Sequence, residues 1–106
     1  GHTRYTQVAG ARALREAVAA KFRRENGLDV SWQDTLVCNG GKQVIYNALA
    51  ATLDDGDEVI VPAPYWVSYP EMVQLCGGEA RIVTCGADSG FKLTPEALAA
   101  AITPQT

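Results

Sequence analysis

One histidine, His2, is all the sequence offers, and it stands near the end of a chain of 106 residues. A Ser-His-Asp relay or a multi-histidine metal site needs more than that, so no metal site is expected. The three cysteines, Cys38, Cys76 and Cys85, have no metal-type spacing. Their odd number fits reduced thiols in a cytoplasmic protein better than a disulfide framework. Basic residues are also in short supply: 9 Lys and Arg against 12 Asp and Glu leave a net charge of -3. A nucleic-acid surface needs a basic patch, and binding to an anionic membrane needs a polybasic run; neither is present. No apolar run approaches the roughly 20 residues of a membrane span. The opening stretch, GHTRYTQVAG, lacks the charged-then-apolar layout of a signal peptide. Without repeats, low-complexity tracts or linkers, the length suits one small domain.

What the chain does have is alternation. Residues 1–10 read as a polar entry loop. Leu14, Ala17, Val18 and Phe22 make an apolar stripe on a helix over residues 11–26. Arg12, Arg15, Glu16, Lys21, Arg23, Arg24 and Glu25 mostly take the solvated side, and Gly27 sits where a helix-ending glycine belongs. Ser31 can cap a short turn, and Trp32 reads as a packing residue. Residues 35–39 (TLVCN) read as a strand. A second helix starts at Gly41 or Lys42, with Val44, Ile45, Ala48, Leu49 and Leu53 along one side. Asp54-Asp55-Gly56-Asp57 ends it with turn chemistry. Residues 58–61 (EVIV) form a strand apolar enough to be buried on both faces, stopped by Pro62. A short helix over 71–76 with Pro70 in its first position, a strand over 80–84, and a helix from Pro95 to Ile102 capped by Thr94 complete the order. This is the pattern of an α/β fold with a mostly parallel sheet. Right-handed crossovers align the turns after the strands along one edge, where such sheets bind ligands.

Two stretches meet at that expected edge. Asn39-Gly40-Gly41-Lys42 joins a strand to a helix N-terminus, where unpartnered N–H groups and the helix dipole favour an anion. It matches neither the P-loop pattern nor G-x-G-x-x-G, and two glycines there also serve as plain tight-turn residues. Trp66 can stack on an aromatic ring or pack in the core. Lys42 can pair with a carboxylate or stay solvated. Tyr5 can donate to a phosphate or stand as a surface aromatic.

Taken together, GHTRYTQVAGARALREAVAAKF, VCNGGKQVIYNAL and GDEVIVPAPYWVSYPEMVQLCGG resemble the class I aminotransferases. The resemblance is to the aspartate aminotransferase group of the fold type I enzymes that use pyridoxal 5′-phosphate (PLP), and it covers nearly the whole chain. It implies a partial three-layer α/β/α large domain. It implies that Gly40, Gly41 and Lys42 bind the cofactor phosphate through backbone N–H groups. By the same resemblance Trp66 stacks on the pyridine ring, and Tyr5 reaches the phosphate held by the neighbouring subunit of a homodimer. Lys42 then helps hold the distal carboxylate of an acidic substrate, and Trp66 is the other substrate-binding residue that the resemblance implies.

The resemblance further implies a fragment, incomplete at both ends. No catalytic residue is expected in it, because the family's Schiff-base lysine, the aspartate on the pyridine nitrogen and the arginine on the substrate α-carboxylate all fall outside it. Lys21, Lys42 and Lys92 have no motif to replace that lysine. The implied parent reaction is amino transfer from an L-amino acid, aspartate first, to a 2-oxo acid such as 2-oxoglutarate. The alternatives are a prephenate or aromatic aminotransferase of the same family, or a non-catalytic phosphate-binding or assembly module. Alone, the piece is expected to be inactive and marginally stable, with open sheet edges and bare apolar faces.

Overall fold

The computed structural model describes residues 3–106, so His2 lies outside it. The chain forms two compact units, Gly1–Gly41 and Lys42–Thr106.

In the first unit, helix α1 (Arg12–Lys21) runs on into a wider π-type turn, Phe22–Asn26. It ends at Gly27, which is left-handed with φ 66°, and the Leu28 N–H reaches back to Phe22 O at 3.2 Å. The expected helix is present, but its buried face is a different one. Arg15 and Ala19 are buried, while Leu14 is exposed. Arg15, Ala19 and Phe22 are spaced i, i+4, i+7 and form a stripe of their own. Arg15 on this stripe meets backbone carbonyls of the segment before the turn. Arg15 Nε donates to Thr35 O and its Nη2 to Gln33 O, both at 2.8 Å. Arg15 therefore does not belong to the solvated face. Trp32–Asp34 make a single 3-10 turn, with the Ser31 hydroxyl accepting from the Gln33 N–H. Trp32 packs as expected, with the guanidinium carbons of Arg12 and Arg15 4.8 and 5.0 Å from its ring centroid.

Residues 35–39 are a correction. Thr35 has extended angles, φ −101° and ψ 139°, and the Val37 N–H donates to Ala9 O at 3.0 Å. Yet the segment forms no strand: among the described residues the sheet has two strands, both in the second unit. β-branched residues favour extended backbone, but a ladder also needs a neighbouring strand in register.

The second unit contains a βαβ motif, with its two strands parallel. Helix α2 (Gly41–Thr52) leads into strand β1 (Glu58–Ala63), helix α3 (Ser68–Leu75), strand β2 (Glu79–Thr84) and helix α4 (Pro95–Ala101). The strands are parallel, with Glu58 opposite Glu79 and Ala63 opposite Thr84. β1 does not stop at Pro62. The Glu79 N–H donates to Asp57 O and the Cys85 N–H to Ala63 O, so the odd-numbered residues of β1 carry the ladder to β2. Pro62, an even position, turns its donor-less nitrogen to the other edge, where a proline is tolerated. α3 also starts earlier than expected, at Ser68, leaving Pro70 inside its first turn.

Val73 of α3 is only 1% exposed, and it is buried along with Met72, Val61, Cys85 and Ala101. On α2, Ile45 and Leu49 line an apolar groove of about 220 Å³ with Val59, Val61, Tyr69 and Val73. Val44, expected on the same stripe, stays exposed. The Thr94 hydroxyl caps α4 by accepting from the Ala97 N–H at 3.2 Å. Beyond α4, the Thr103 hydroxyl donates to Glu58 Oε2 at 2.6 Å and the Glu58 N–H to Gln105 O at 2.8 Å, which ties this end of the chain to the start of β1. Among the described residues no helix is long and apolar enough to cross a membrane.

Candidate functional site

The turn before α2 is set by anchors inside the first unit. Arg15 holds Thr35, itself buried, with the Thr35 hydroxyl donating to Trp32 O at 2.7 Å. Two residues on, Val37 is held by Ala9 O and by close contact with Gly10. A Cβ on Gly10 would come within 2.8 Å of Val37 Cβ, and the φ of +100° there disfavours a side chain as well. Cys38 and Asn39 carry the chain on to Gly40, whose φ of +104° again suits glycine alone. A Cβ placed on Gly40 or Gly41 would meet nothing within 4 Å. The backbone here is thus bent and approachable. Gly41 opens a helix of 12 residues, whose first N–H groups have no acceptor within the helix and whose dipole is positive at this end.

In the second unit Lys42 and Trp66 come together. The Lys42 ammonium lies 5.7 Å from the Trp66 ring centroid, within cation–π reach. Trp66 sits in the loop between β1 and α3, 60% exposed, so it is not a core residue. A flat aromatic face open to solvent, with a cation above it, can stack on a planar ring and attract an anionic group. Tyr5 stands fully exposed on the N-terminal segment.

Sequence reading missed Arg15 and Thr35 as supports of the turn. The available signal was the Arg15, Ala19, Phe22 spacing, which the wider stripe through Leu14 and Ala17 obscured. A cavity of about 500 Å³ lies in another part of the first unit. Ala19, Asp29, Val30 and Trp32 help line it, and no residue of the turn does. Glu25, on the exposed turn after α1, has its carboxyl held below the ordinary value, first by the Arg24 hydrogen bond and then by the Lys21 charge. Among the described residues no group of three or more His, Cys, Asp or Glu is placed to hold a metal ion.

Comparison with known proteins agrees with this layout. The family model for aminotransferase class I and II matches residues 1–106. A probable aspartate/prephenate aminotransferase of Rhizobium leguminosarum bv. phaseoli is 58% identical over the whole chain, which covers 26% of that protein. An aspartate/prephenate aminotransferase of Cereibacter sphaeroides is also 58% identical, with the same coverage. The structure of Thermus thermophilus aspartate aminotransferase with maleate superimposes with a TM-score of 0.95 at 54% identity, over 98% of this chain and 27% of that one. The chain thus spans about a quarter of the length of the relatives it matches.

Proposed function

Because the chain belongs to the class I and II aminotransferase family, we propose that residues 1–106 form part of the cofactor-binding large domain of a PLP-dependent aminotransferase. One observation carries the reading: a bent, unobstructed glycine turn at Gly40 that feeds the N-terminus of α2.

The residues present fit PLP. A phosphate needs backbone N–H groups at a helix start and no Cβ in the way; Gly40 and Gly41 lead into α2 with open space where a Cβ would stand. A pyridine ring needs a flat partner, and Trp66 is exposed to provide one. PLP, when bound, supplies the electron sink for chemistry at the substrate α-carbon. In this reading the turn fixes the phosphate end and Trp66 restricts the tilt of the ring. Lys42 directs its ammonium at a substrate carboxylate. Tyr5, exposed on its segment, extends to the phosphate site of the other subunit of a homodimer. The lysine that joins the cofactor covalently lies outside these residues, and the enzyme works in the cytoplasm.

The amino donor is aspartate and the acceptor 2-oxoglutarate. Prephenate is a second acceptor, a reading favoured by the names of the R. leguminosarum and C. sphaeroides relatives. The relatives named above are aminotransferases, which favours the enzyme over a non-catalytic module. The test is steady-state kinetics on the full-length protein with aspartate, phenylalanine, 2-oxoglutarate and prephenate. Aspartate and 2-oxoglutarate are expected to yield glutamate, and residues 1–106 alone none. Lys42→Met is expected to lower kcat/KM for aspartate about tenfold, the worth of one charged hydrogen bond, and to leave phenylalanine within about twofold. Equal losses for both donors would remove Lys42 from the acidic-substrate pocket.

A further inference from the structure

We infer that Arg15, remote in sequence from the turn, is a positioning residue for the phosphate cradle, an inference that rests on the proposed PLP site. Arg15 is 7% exposed, yet its guanidinium hydrogen-bonds to backbone rather than forming an ion pair with a carboxylate. Its guanidinium is spent on two backbone carbonyls, Gln33 O and Thr35 O, and on the face of Trp32. A buried cation is costly unless its donors are met, and here they are met by the segment that leads into the turn. Four residues separate Thr35 from Gly40. Val37, between them, is pinned by Ala9 O and by the side of Gly10. Two anchors two residues apart on extended backbone fix both the direction and the height at which the chain arrives at Gly40.

The fork geometry matters. The Nε and Nη2 of one planar group reach carbonyls two residues apart, which a lysine ammonium on a flexible stem does not reproduce. The Thr35 hydroxyl, bonded to Trp32 O at 2.7 Å, reinforces the same anchor. Arg15 touches neither cofactor nor substrate in this account. It acts by limiting where the Gly40 and Gly41 N–H groups point.

The test uses the full-length protein stripped of cofactor and two probes, pyridoxamine 5′-phosphate and pyridoxamine, which differ only in the phosphate and form no covalent link to the enzyme. The unmutated protein is expected to prefer the phosphorylated probe strongly. Arg15→Lys is expected to weaken the phosphorylated probe about tenfold and pyridoxamine less than about twofold, in line with the cost of removing a supporting hydrogen-bonded group. Thr35→Val, close to isosteric, is expected to shift the same probe in the same direction by about threefold. If Arg15→Lys binds both probes as the unmutated protein does, or loses both by one factor, Arg15 is only a structural residue and the inference falls. Should Arg15→Lys not fold, Thr35→Val decides by the same criterion. An unmutated protein with no preference for the phosphorylated probe would overturn the PLP reading itself, an outcome seen before any substitution is made.

Discussion

Gly40 and Gly41 adjoin in the chain but fill different roles, and substitution separates them. Gly40 has a φ of +104°, where an L side chain is strained by about 1–3 kcal/mol. Gly40→Ala is therefore expected to relax the turn, with affinity for pyridoxamine 5′-phosphate falling by about 5- to 150-fold. Gly41 is helical and has no left-handed angle to lose. Alanine there suits a helix better than glycine by up to about 1 kcal/mol, and its Cβ meets nothing within 4 Å. Gly41→Ala should leave the melting temperature unchanged or slightly raised. If it still weakens the phosphorylated probe, the open space beside Gly41 is space the phosphate uses. Unchanged affinity would move the phosphate away from this residue.

The elements differ in how far they can be read without a structure, and the difference follows locality. Helix ends at Gly27, at Asp54–Asp57 and at Gly77-Gly78, and the Thr94-Pro95 start, depend on residues a few positions apart, so each is written locally. Gly40-Gly41-Lys42 is legible for the same reason. Residues 35–39 read as a strand because their side chains favour extension, but pairing depends on a neighbour that local sequence does not name. Pro62 reads as a stop because which edge its nitrogen faces is set by the register with β2. Arg15 reads as solvated because its acceptors stand 18 and 20 residues away. The Lys42–Trp66 pairing is equally non-local, 24 residues apart along the chain. Packing can be tested at α3, which lies on both strands through Met72 and Val73. Val73→Ala trims a side chain that is 1% exposed and is expected to cost about 2 kcal/mol, read as a lower urea midpoint of the full-length protein. A midpoint unmoved by that change would show that α3 is not part of the stabilising core.

For the whole chain the question is whether so small a core can sustain the fold. Among the described residues the buried apolar side chains are Ala19 in the first unit and Val61, Met72, Val73, Cys85 and Ala101 in the second. Several are small, so the apolar area they remove from water is modest. Against them stand Leu36, Val44, Tyr46, Ile82, Leu98 and Ile102, all large and exposed. The sheet has two parallel strands, whereas parallel sheets are found with both faces covered, and two strands alone are marginal in water. β2 has no buried position along its length. Ordering the backbone costs about 1–2 kcal/mol per residue, a demand that scales with the whole chain while the buried core does not. Residues 1–106 expressed alone should therefore lack a sharp cooperative melt and should bind a hydrophobic dye at room temperature, as surfaces of this kind do. The same segment within the full-length protein should show neither property, because apolar faces such as those of Val44 and Ile82 would be covered there. A steep, reversible transition of the isolated monomer without dye binding would mean that the Val61, Met72 and Val73 cluster suffices. The case for these residues as one part of a larger domain would then rest on family membership and coverage alone.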